Sequence, residues 1–116
     1  QMTLNEYQKQ ALTTEIMNRD GIINATEPAF MAKILGLVGE SGEVAEKFKK
    51  IIRDKEGKIN SNDKTEIKKE LGDVLWYTAV IADYLGIGFE DVAQTNLKKL
   101  ASRKARGVGK GSGDNR

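Results

Sequence analysis

The sequence contains no cysteine and no histidine. Without cysteine, the chain can form neither disulfide bonds nor thiolate metal sites, and it has no thiol nucleophile. Without histidine, it lacks the usual general base at neutral pH and the commonest zinc ligand. Any hydrolytic chemistry must therefore use carboxylates, lysines, hydroxyl groups or hard metal ions that prefer oxygen ligands.

Long apolar runs are also missing. No stretch approaches the roughly 18 residues that a membrane-spanning helix needs, and no basic start followed by an apolar segment suggests a signal peptide. We therefore expect a cytoplasmic protein. Its 116 residues, of which 39% are hydrophobic and 31% are charged, fit one compact domain.

The net charge of +2 is distributed unevenly. Between Lys98 and Arg116, seven basic residues accompany a single acid, Asp114. This segment could bind phosphate groups or form a solvated basic face, and the sequence leaves both open. Four glycines disfavour a helix near the end of the chain, so we predict one domain over residues 2–106 and a Gly-rich basic tail over residues 107–116.

The first half of the chain predicts two helices. Thr3 and Glu6 form a capping-box pattern that starts a first helix, which we expect to run toward Arg19. A cap residue and a first-turn proline at 26–28 predict a second, longer helix over residues 29–53.

The second half predicts two more helices. Residues 54–62 are polar and contain a glycine, which predicts a turn. Asp63 and Glu66 form a second capping-box pattern, and the third helix runs from there until the glycines after Leu85 stop it. Residues 89–104 supply the fourth helix.

Four helices without a strand pattern predict an all-α fold, an antiparallel four-helix bundle. So small a bundle leaves apolar residues uncovered, and we expect it to be completed by oligomerisation, as a homodimer or homotetramer. Trp76 gives this weak support, because it projects away from the main apolar stripe of the third helix. An ordinary half-exposed aromatic residue would project in the same way.

Four carboxylates form two pairs on the second and third helices. Glu40 and Glu43 stand three residues apart, as do Glu70 and Asp73, so each pair can converge on one ion. At about 100° per residue, Glu70 lies within the apolar stripe of its helix and Asp73 lies at the edge, whereas Glu43 is rotated furthest outward. A carboxylate in an apolar stripe must be protonated, hydrogen-bonded or neutralised by a cation, since its desolvation is otherwise costly.

The four acids together would form an all-oxygen site. Such a site suits Mg²⁺, with Mn²⁺ as a substitute, and does not suit zinc. The structural alternative is a layer of salt bridges in which Lys47 and Lys50 offset the acids, and helical spacing alone does not decide between the two.

Two segments carry a resemblance to a known family. They are GESGEVAE, from Gly39 to Glu46, and ELGDVLWY, from Glu70 to Tyr77. They resemble the paired ExxE and ExxD motifs of the MazG-like, all-α nucleoside triphosphate pyrophosphohydrolases, including the dCTP pyrophosphatase branch. The gap of 26 residues, from residue 44 to residue 69, is compatible with the family's range. The likeness extends over most of the chain, and its end resembles the short, phage-associated members.

The resemblance implies that Glu40, Glu43, Glu70 and Asp73 hold Mg²⁺. It also implies that a nucleoside triphosphate is converted to the monophosphate and pyrophosphate, with Tyr77, one turn past Asp73, contacting the nucleotide. In such a reaction, the metal offsets phosphate charge and lowers the pKa of the water that attacks the α-phosphorus. Either Glu40 or Glu43 would accept the proton of this water.

The resemblance also marks residues of the fourth helix as candidates for substrate binding. These are Asn96, Lys99 and Arg103, of which the two basic residues would contact the phosphates. Arg116 would join them if the tail folds over the site. The alternative for the basic residues is a solvated face.

Two other functions stay open. A non-enzymatic module that binds nucleic acid or protein would explain the basic tail. However, the tail lacks aromatic residues for base stacking, and the acids of the second and third helices would repel a phosphate backbone. The same fold could also cleave another pyrophosphate, such as phosphoribosyl-ATP, because helical spacing does not reveal the shape of a pocket.

Overall fold

The computed structural model describes residues 1–15 and 24–107, and these residues form four α-helices without a strand. The helices are α1 (Leu4–Leu12), α2 (Pro28–Lys55), α3 (Ser61–Tyr84) and α4 (Phe89–Arg106). The predicted all-α class is therefore confirmed. No helix in the described ranges combines the length and the apolar character needed to cross a bilayer.

Helix α1 is shorter than predicted. It begins as expected, because the Thr3 hydroxyl accepts a hydrogen bond from the backbone N–H of Glu6 at 3.1 Å. It ends at Leu12 and does not continue toward Arg19, so the predicted extent was wrong. The last part of the predicted helix, residues 16–19, lies outside the described residues.

Two threonines account for the early end of α1. The hydroxyl groups of Thr13 and Thr14 donate to backbone carbonyls of the last helical turn, at 2.6 and 2.7 Å. Such local hydrogen bonds compete with continuation of the helix, and β-branched side chains also propagate a helix poorly.

Helix α3 begins earlier than predicted, and its capping box involves a different pair of residues. The Asn60 side chain accepts from the N–H of Asp63 at 2.9 Å, and the Asp63 carboxylate accepts from the N–H of Asn60 at 2.9 Å. The predicted pairing of Asp63 with Glu66 was wrong, because asparagine caps a helix as well as aspartate does. At the start of α2, Pro28 occupies the first turn as predicted, and Glu27 is the cap residue.

Helices α2 and α3 form a long antiparallel hairpin, and we call their line of contact the seam. Five features follow one another along the seam, starting from the turn that connects the helices. They are an ion pair between Lys55 and Asp63, a cavity floored by Ile51 and Ile67, the carboxylates of Glu40, Glu70 and Asp73, the Tyr77 ring against Gly36, and an apolar core.

The apolar core occupies the end of the hairpin far from this turn. Ala29 and Phe30 of α2 pack there against Val80 and Tyr84 of α3, and the rings of Phe30 and Tyr84 have their centroids 5.8 Å apart. All four residues are buried. The hydrophobic stabilisation of the hairpin is therefore concentrated at one end, away from the carboxylates.

Gln8 joins three helices at this end of the molecule. Its side-chain amide donates to the carbonyls of Ala79 and Ile87, both at 3.0 Å, and its side-chain oxygen accepts from the N–H of Phe89 at 3.0 Å. The buried amide is thus fully used, as buried polar groups must be. Within the described residues, α4 packs against α1 and α3 and does not approach α2.

A buried ion pair ties the end of α1 to the hairpin. Lys33 lies 2.9 Å from Glu15, both side chains are almost fully covered, and the Tyr84 hydroxyl donates to Glu15 at 2.8 Å. The indole N–H of Trp76 donates to the Thr14 hydroxyl at 2.9 Å. It also donates to the Ala11 carbonyl of α1 at 3.2 Å. These contacts within one chain account for the orientation of Trp76, which therefore gives no support to a contact between subunits.

Tyr77 requires glycine at position 36. A Cβ atom added to Gly36 would lie 2.2 Å from Cε1 of Tyr77, whereas one added to Gly39 would meet nothing within 4 Å.

Gly39→Ala should raise the free energy of unfolding by up to about 1 kcal/mol, because alanine favours a helix. Gly36→Ala should instead lower it by about 1 to 3 kcal/mol, because the rigid ring must leave the seam.

Urea denaturation of the two variants beside the wild type measures both effects. Equal stabilisation by the two alanines would show that the Tyr77 ring is not packed against α2.

Candidate metal centre

Three carboxylates meet at the middle of the seam. Oxygen atoms of Glu40 from α2 and of Glu70 and Asp73 from α3 all lie within 4.8 Å of one another. Glu40 and Glu70 are half-buried, and Asp73 is exposed. We call this group the carboxylate cluster.

Helical periodicity explains why these acids face one another. At about 100° per residue, Glu40 shares a face of α2 with Gly36 and Ile51, both of which contribute to the seam. Glu70 shares a face of α3 with Tyr77, which lies against α2 in the same way. Glu40 and Glu70 thus each face the opposite helix, while Asp73 lies at the exposed edge of the seam.

The cluster is electrostatically unfavourable without a cation. Burial raises the pKa of the Glu40 carboxyl, and the negative charge of Asp73 raises it further. A hydrogen bond with Glu70, its charge, and the charge of Glu43 add smaller effects in the same direction. These effects all disfavour the charged form of Glu40, and a nearby positive charge would oppose them.

The donor set fits a hard divalent ion. All the donor atoms are carboxylate oxygens, which Mg²⁺ and Mn²⁺ prefer. Two oxygens bound to one Mg²⁺ ion lie about 3 to 4 Å apart, given bond lengths of about 2.1 Å. Because the oxygens of the cluster already lie within 4.8 Å of one another, small rotations of the side chains would suffice to bind an ion.

Glu43 lies outside the carboxylate cluster. Among the described residues, only Glu40, Glu70 and Asp73 bring oxygen atoms this close together. Glu43 is exposed on α2, although its charge still acts on Glu40. Its outward rotation agrees with its position on the helical wheel, and its role as a metal ligand stays a prediction.

Tyr77 borders the cluster on the side toward the apolar core. Its ring lies against the backbone of Gly36 and forms an edge-to-face contact with the Trp76 ring, with centroids 4.9 Å apart. The ring is held on two sides and follows Asp73 by one helical turn. A nucleotide contact through Tyr77 stays a prediction.

Two of the predicted substrate-binding residues of α4 line a separate groove. Asn96 and Lys99 line an open groove of about 390 Å³ that shares no residue with the cluster. Arg103 is buried, so it does not belong to a solvated basic face. Arg116 lies outside the described residues.

Tyr7 is a neighbour of the cluster that the sequence did not indicate. Burial raises the pKa of its phenol, and the charge of Asp73 raises it further, which places the α1 side chain within electrostatic reach of the cluster. Its ring also lies 6.1 Å, between centroids, from that of Phe89. The spacing of α1 shows that Tyr7 and Ala11 share a face, but it does not show which helix that face meets.

Comparison with known proteins gives the family. The MazG nucleotide pyrophosphohydrolase domain matches residues 30–108, from the first turn of α2 past the end of α4. The chain is 46% identical to the Gene 37 protein of Mycobacterium phage L5 over 115 residues, which cover 99% of this chain and 100% of that protein.

The chain is also 35% identical to the uncharacterized protein YvdC of Bacillus subtilis (strain 168) over 72 residues, which cover 58% of this chain and 68% of that protein. No solved structure matches it significantly. The domain match spans well over half of the chain and includes both paired acidic motifs. The predicted resemblance is thereby confirmed, and the chain belongs to the MazG nucleotide pyrophosphohydrolase family.

Proposed function

We propose that this protein hydrolyses a nucleoside triphosphate at the α-phosphorus, in a Mg²⁺-dependent reaction that yields the monophosphate and pyrophosphate. The proposal rests on one observation above all. The acids of two distant sequence motifs, Glu40 in one and Glu70 and Asp73 in the other, converge within 4.8 Å. The setting would be control of nucleotide pools in the cytoplasm.

In this proposal, Glu40, Glu43, Glu70 and Asp73 hold the metal. When bound, Mg²⁺ would neutralise phosphate charge and lower the pKa of the attacking water. The carboxylates would fix its position through the rigid hairpin, because both helices place their acids in the middle of long, regular segments.

The reaction needs one proton acceptor and one leaving group. The oxygen of water forms a bond to the α-phosphorus, the bond from this phosphorus to the bridging oxygen breaks, and pyrophosphate leaves with the electron pair. Glu40 or Glu43 accepts the proton of the water. Without a histidine in the chain, a carboxylate is the natural base.

Substrate contacts are proposed from two helices. Tyr77 would contact the nucleotide next to the cluster, where its ring is already fixed between Gly36 and Trp76. Asn96, Lys99, Arg103 and Arg116 are proposed to bind substrate from the C-terminal part of the chain. The proposal for Asn96 and Lys99 is supported by the open groove of about 390 Å³ that they line.

We also propose that two copies of the chain associate through the outer face of the hairpin. Seven residues of α2 follow one another at alternating spacings of four and three positions. This is the periodicity of a helix that packs against another helix. We call them the outer stripe: Met31, Leu35, Val38, Gly42, Ala45, Lys49 and Ile52.

The large apolar residues of the outer stripe are exposed. The accessible fraction is 64% for Leu35, 66% for Val38 and 68% for Ile52, and Leu71 and Leu75 on α3 are exposed as well. A second hairpin is the natural cover, because α4 does not approach α2 and two hairpins together make a four-helix bundle. The same stripe on both copies gives a self-complementary interface.

The nature of the products tests the reaction. With Mg²⁺ and a panel of ribonucleoside and deoxyribonucleoside triphosphates, the wild type should release pyrophosphate and the monophosphate. Orthophosphate as the primary product would contradict attack at the α-phosphorus. Phosphoribosyl-ATP belongs in the same panel, and its preferential cleavage would assign a different substrate to the same site.

Metal binding can be tested separately from turnover. At a Mg²⁺ concentration about 100 times the dissociation constant, the wild type should gain about 2.7 kcal/mol of unfolding free energy. Glu70→Gln should show little of this Mg²⁺-induced stabilisation, because it removes a negatively charged ligand from the cluster. Its rate of hydrolysis should be at least about 100-fold lower than that of the wild type. Thermal unfolding with and without Mg²⁺ measures the first effect.

Glu46→Gln is the matched control for Glu70→Gln, since Glu46 lies on α2 outside the cluster and pairs with Lys49. It should respond to Mg²⁺ like the wild type. An equal response of the Glu70 variant would remove the carboxylate cluster from metal binding.

The outer stripe can be tested by charge insertion. Leu35→Lys should weaken self-association by at least about tenfold, because two copies would bury the ammonium groups in an apolar contact. Ile59→Lys is the control, since Ile59 is exposed but lies in the turn between α2 and α3. Sedimentation velocity over a range of concentrations gives the result, and a monomeric wild type would refute the interface.

A further inference from the structure

A cavity of about 300 Å³ opens on the seam between the carboxylate cluster and the turn that connects α2 and α3. Ile51 and Ile67 are both buried and form its floor. Charged side chains surround this floor, three of them basic and three acidic: Lys47, Lys50, Lys55, Asp54, Asp63 and Glu66. The volume is at the lower end of the range for small-molecule sites.

The acids of this cavity are already neutralised. Each has a cationic partner: Asp63 pairs with Lys55, Asp54 pairs with Arg53 at 2.8 Å, and Glu66 pairs with Lys69 at 3.2 Å. Among the described residues, neither Lys47 nor Lys50 forms an ion pair. With Arg53 and Lys69 counted, which pair with acids of the cavity from outside its lining, five basic residues face three acids, and Lys47 and Lys50 are the two in excess.

The position of Lys47 links the cavity to the carboxylate cluster. Lys47 follows Glu43 by four residues and Glu40 by seven, which corresponds to about 6 Å and about 10 Å along the helix axis. It shares a face of α2 with Glu40, so its side chain lies over the same seam. A phosphate chain attached to a phosphorus at the cluster would therefore reach the ammonium group of Lys47.

The two ends of the seam differ in chemistry. Toward the core, the cluster is bordered by the aromatic ring of Tyr77, which offers a surface to a nucleoside. Toward the turn, it is bordered by two ammonium groups, which suit phosphate oxygens. This asymmetry defines a direction for a substrate that has a nucleoside at one end and phosphates at the other.

We propose that Lys47 and Lys50 bind the β- and γ-phosphates of the substrate. The nucleotide then lies along the seam, with its nucleoside beside Tyr77, its α-phosphorus at the carboxylate cluster and its pyrophosphate portion in the cavity. The inference rests on the proposed function. The lysines would also stabilise the negative charge that develops on the departing pyrophosphate.

The affinity for pyrophosphate tests this inference without turnover. Isothermal titration of Mg²⁺-pyrophosphate into the wild type should show binding, and Lys47→Met and Lys50→Met should each weaken it by about threefold to tenfold. Inhibition by the nucleoside monophosphate should be unchanged in both variants. Lys47→Arg keeps the charge and should retain most of the affinity.

Lys58→Met is the control, because Lys58 is exposed in the turn after α2, does not line the cavity and pairs with Glu56 at 3.7 Å. It should leave pyrophosphate affinity unchanged. Because Lys50 is exposed and Lys47 is half-buried, the variants should keep the thermal midpoint of the wild type.

Two results would overturn the inference. If pyrophosphate affinity stays unchanged while the ratio of kcat/KM values for different bases shifts, the cavity accepts the nucleobase. If the wild type releases pyrophosphate from nucleotides but does not bind it measurably, the lysines are not a phosphate site and the proposed function still stands. Failure of the proposed function itself would appear separately, as an absence of pyrophosphate among the reaction products.

Discussion

The register of α2 against α3 is the constraint on which the rest of the structure depends. It is fixed at one end by the ion pair of Lys55 with Asp63 and at the other by ring packing between Phe30 and Tyr84. Because side chains return to the same face about every 3.6 residues, a slip of four residues along α2 would replace Glu40 beside Glu70 with Gly36 or Val44. The same slip would remove the clearance that Gly36 gives to the ring of Tyr77.

Stabilising contacts lie at the two ends of the seam, and mutually repelling charges lie in its middle. Apolar packing and the hydrogen bonds of Gln8 lie at the end where α1 and α4 join the hairpin, and an ion pair with a capping box lies at the turn. Between these ends, like charges meet, and burial together with the charge of Asp73 raises the pKa of Glu40. Sites with this kind of local conflict are where function is expected, because the surrounding structure must hold them in place.

Much of this arrangement could be predicted from the sequence, because it depends on local rules. The periodicity of the apolar residues predicted the four helices. The spacing of the acids predicted that Glu70 faces the neighbouring helix and that Glu43 is rotated outward. The predicted end of α1 was wrong because two threonine hydroxyls compete with backbone N–H groups for the carbonyls of the last turn. A periodic pattern of apolar residues does not reveal this competition. The burial of Arg103 and the approach of Tyr7 to Asp73 depend on how separate helices dock, which spacing within one helix does not reveal.

Trp76 is the one tryptophan of the chain. Its indole N–H donates to the Ala11 carbonyl of α1, its ring contacts that of Tyr77 edge to face, and the Lys33 ammonium lies 5.8 Å from its ring centroid. Fluorescence excited at the red edge of the absorption band therefore comes from a single position, between the anchor of α1 and the side of the candidate site. Undocking of α1 and occupation of the space beside Tyr77 would both change the surroundings of this one fluorophore, so the chain contains its own optical reporter without any label.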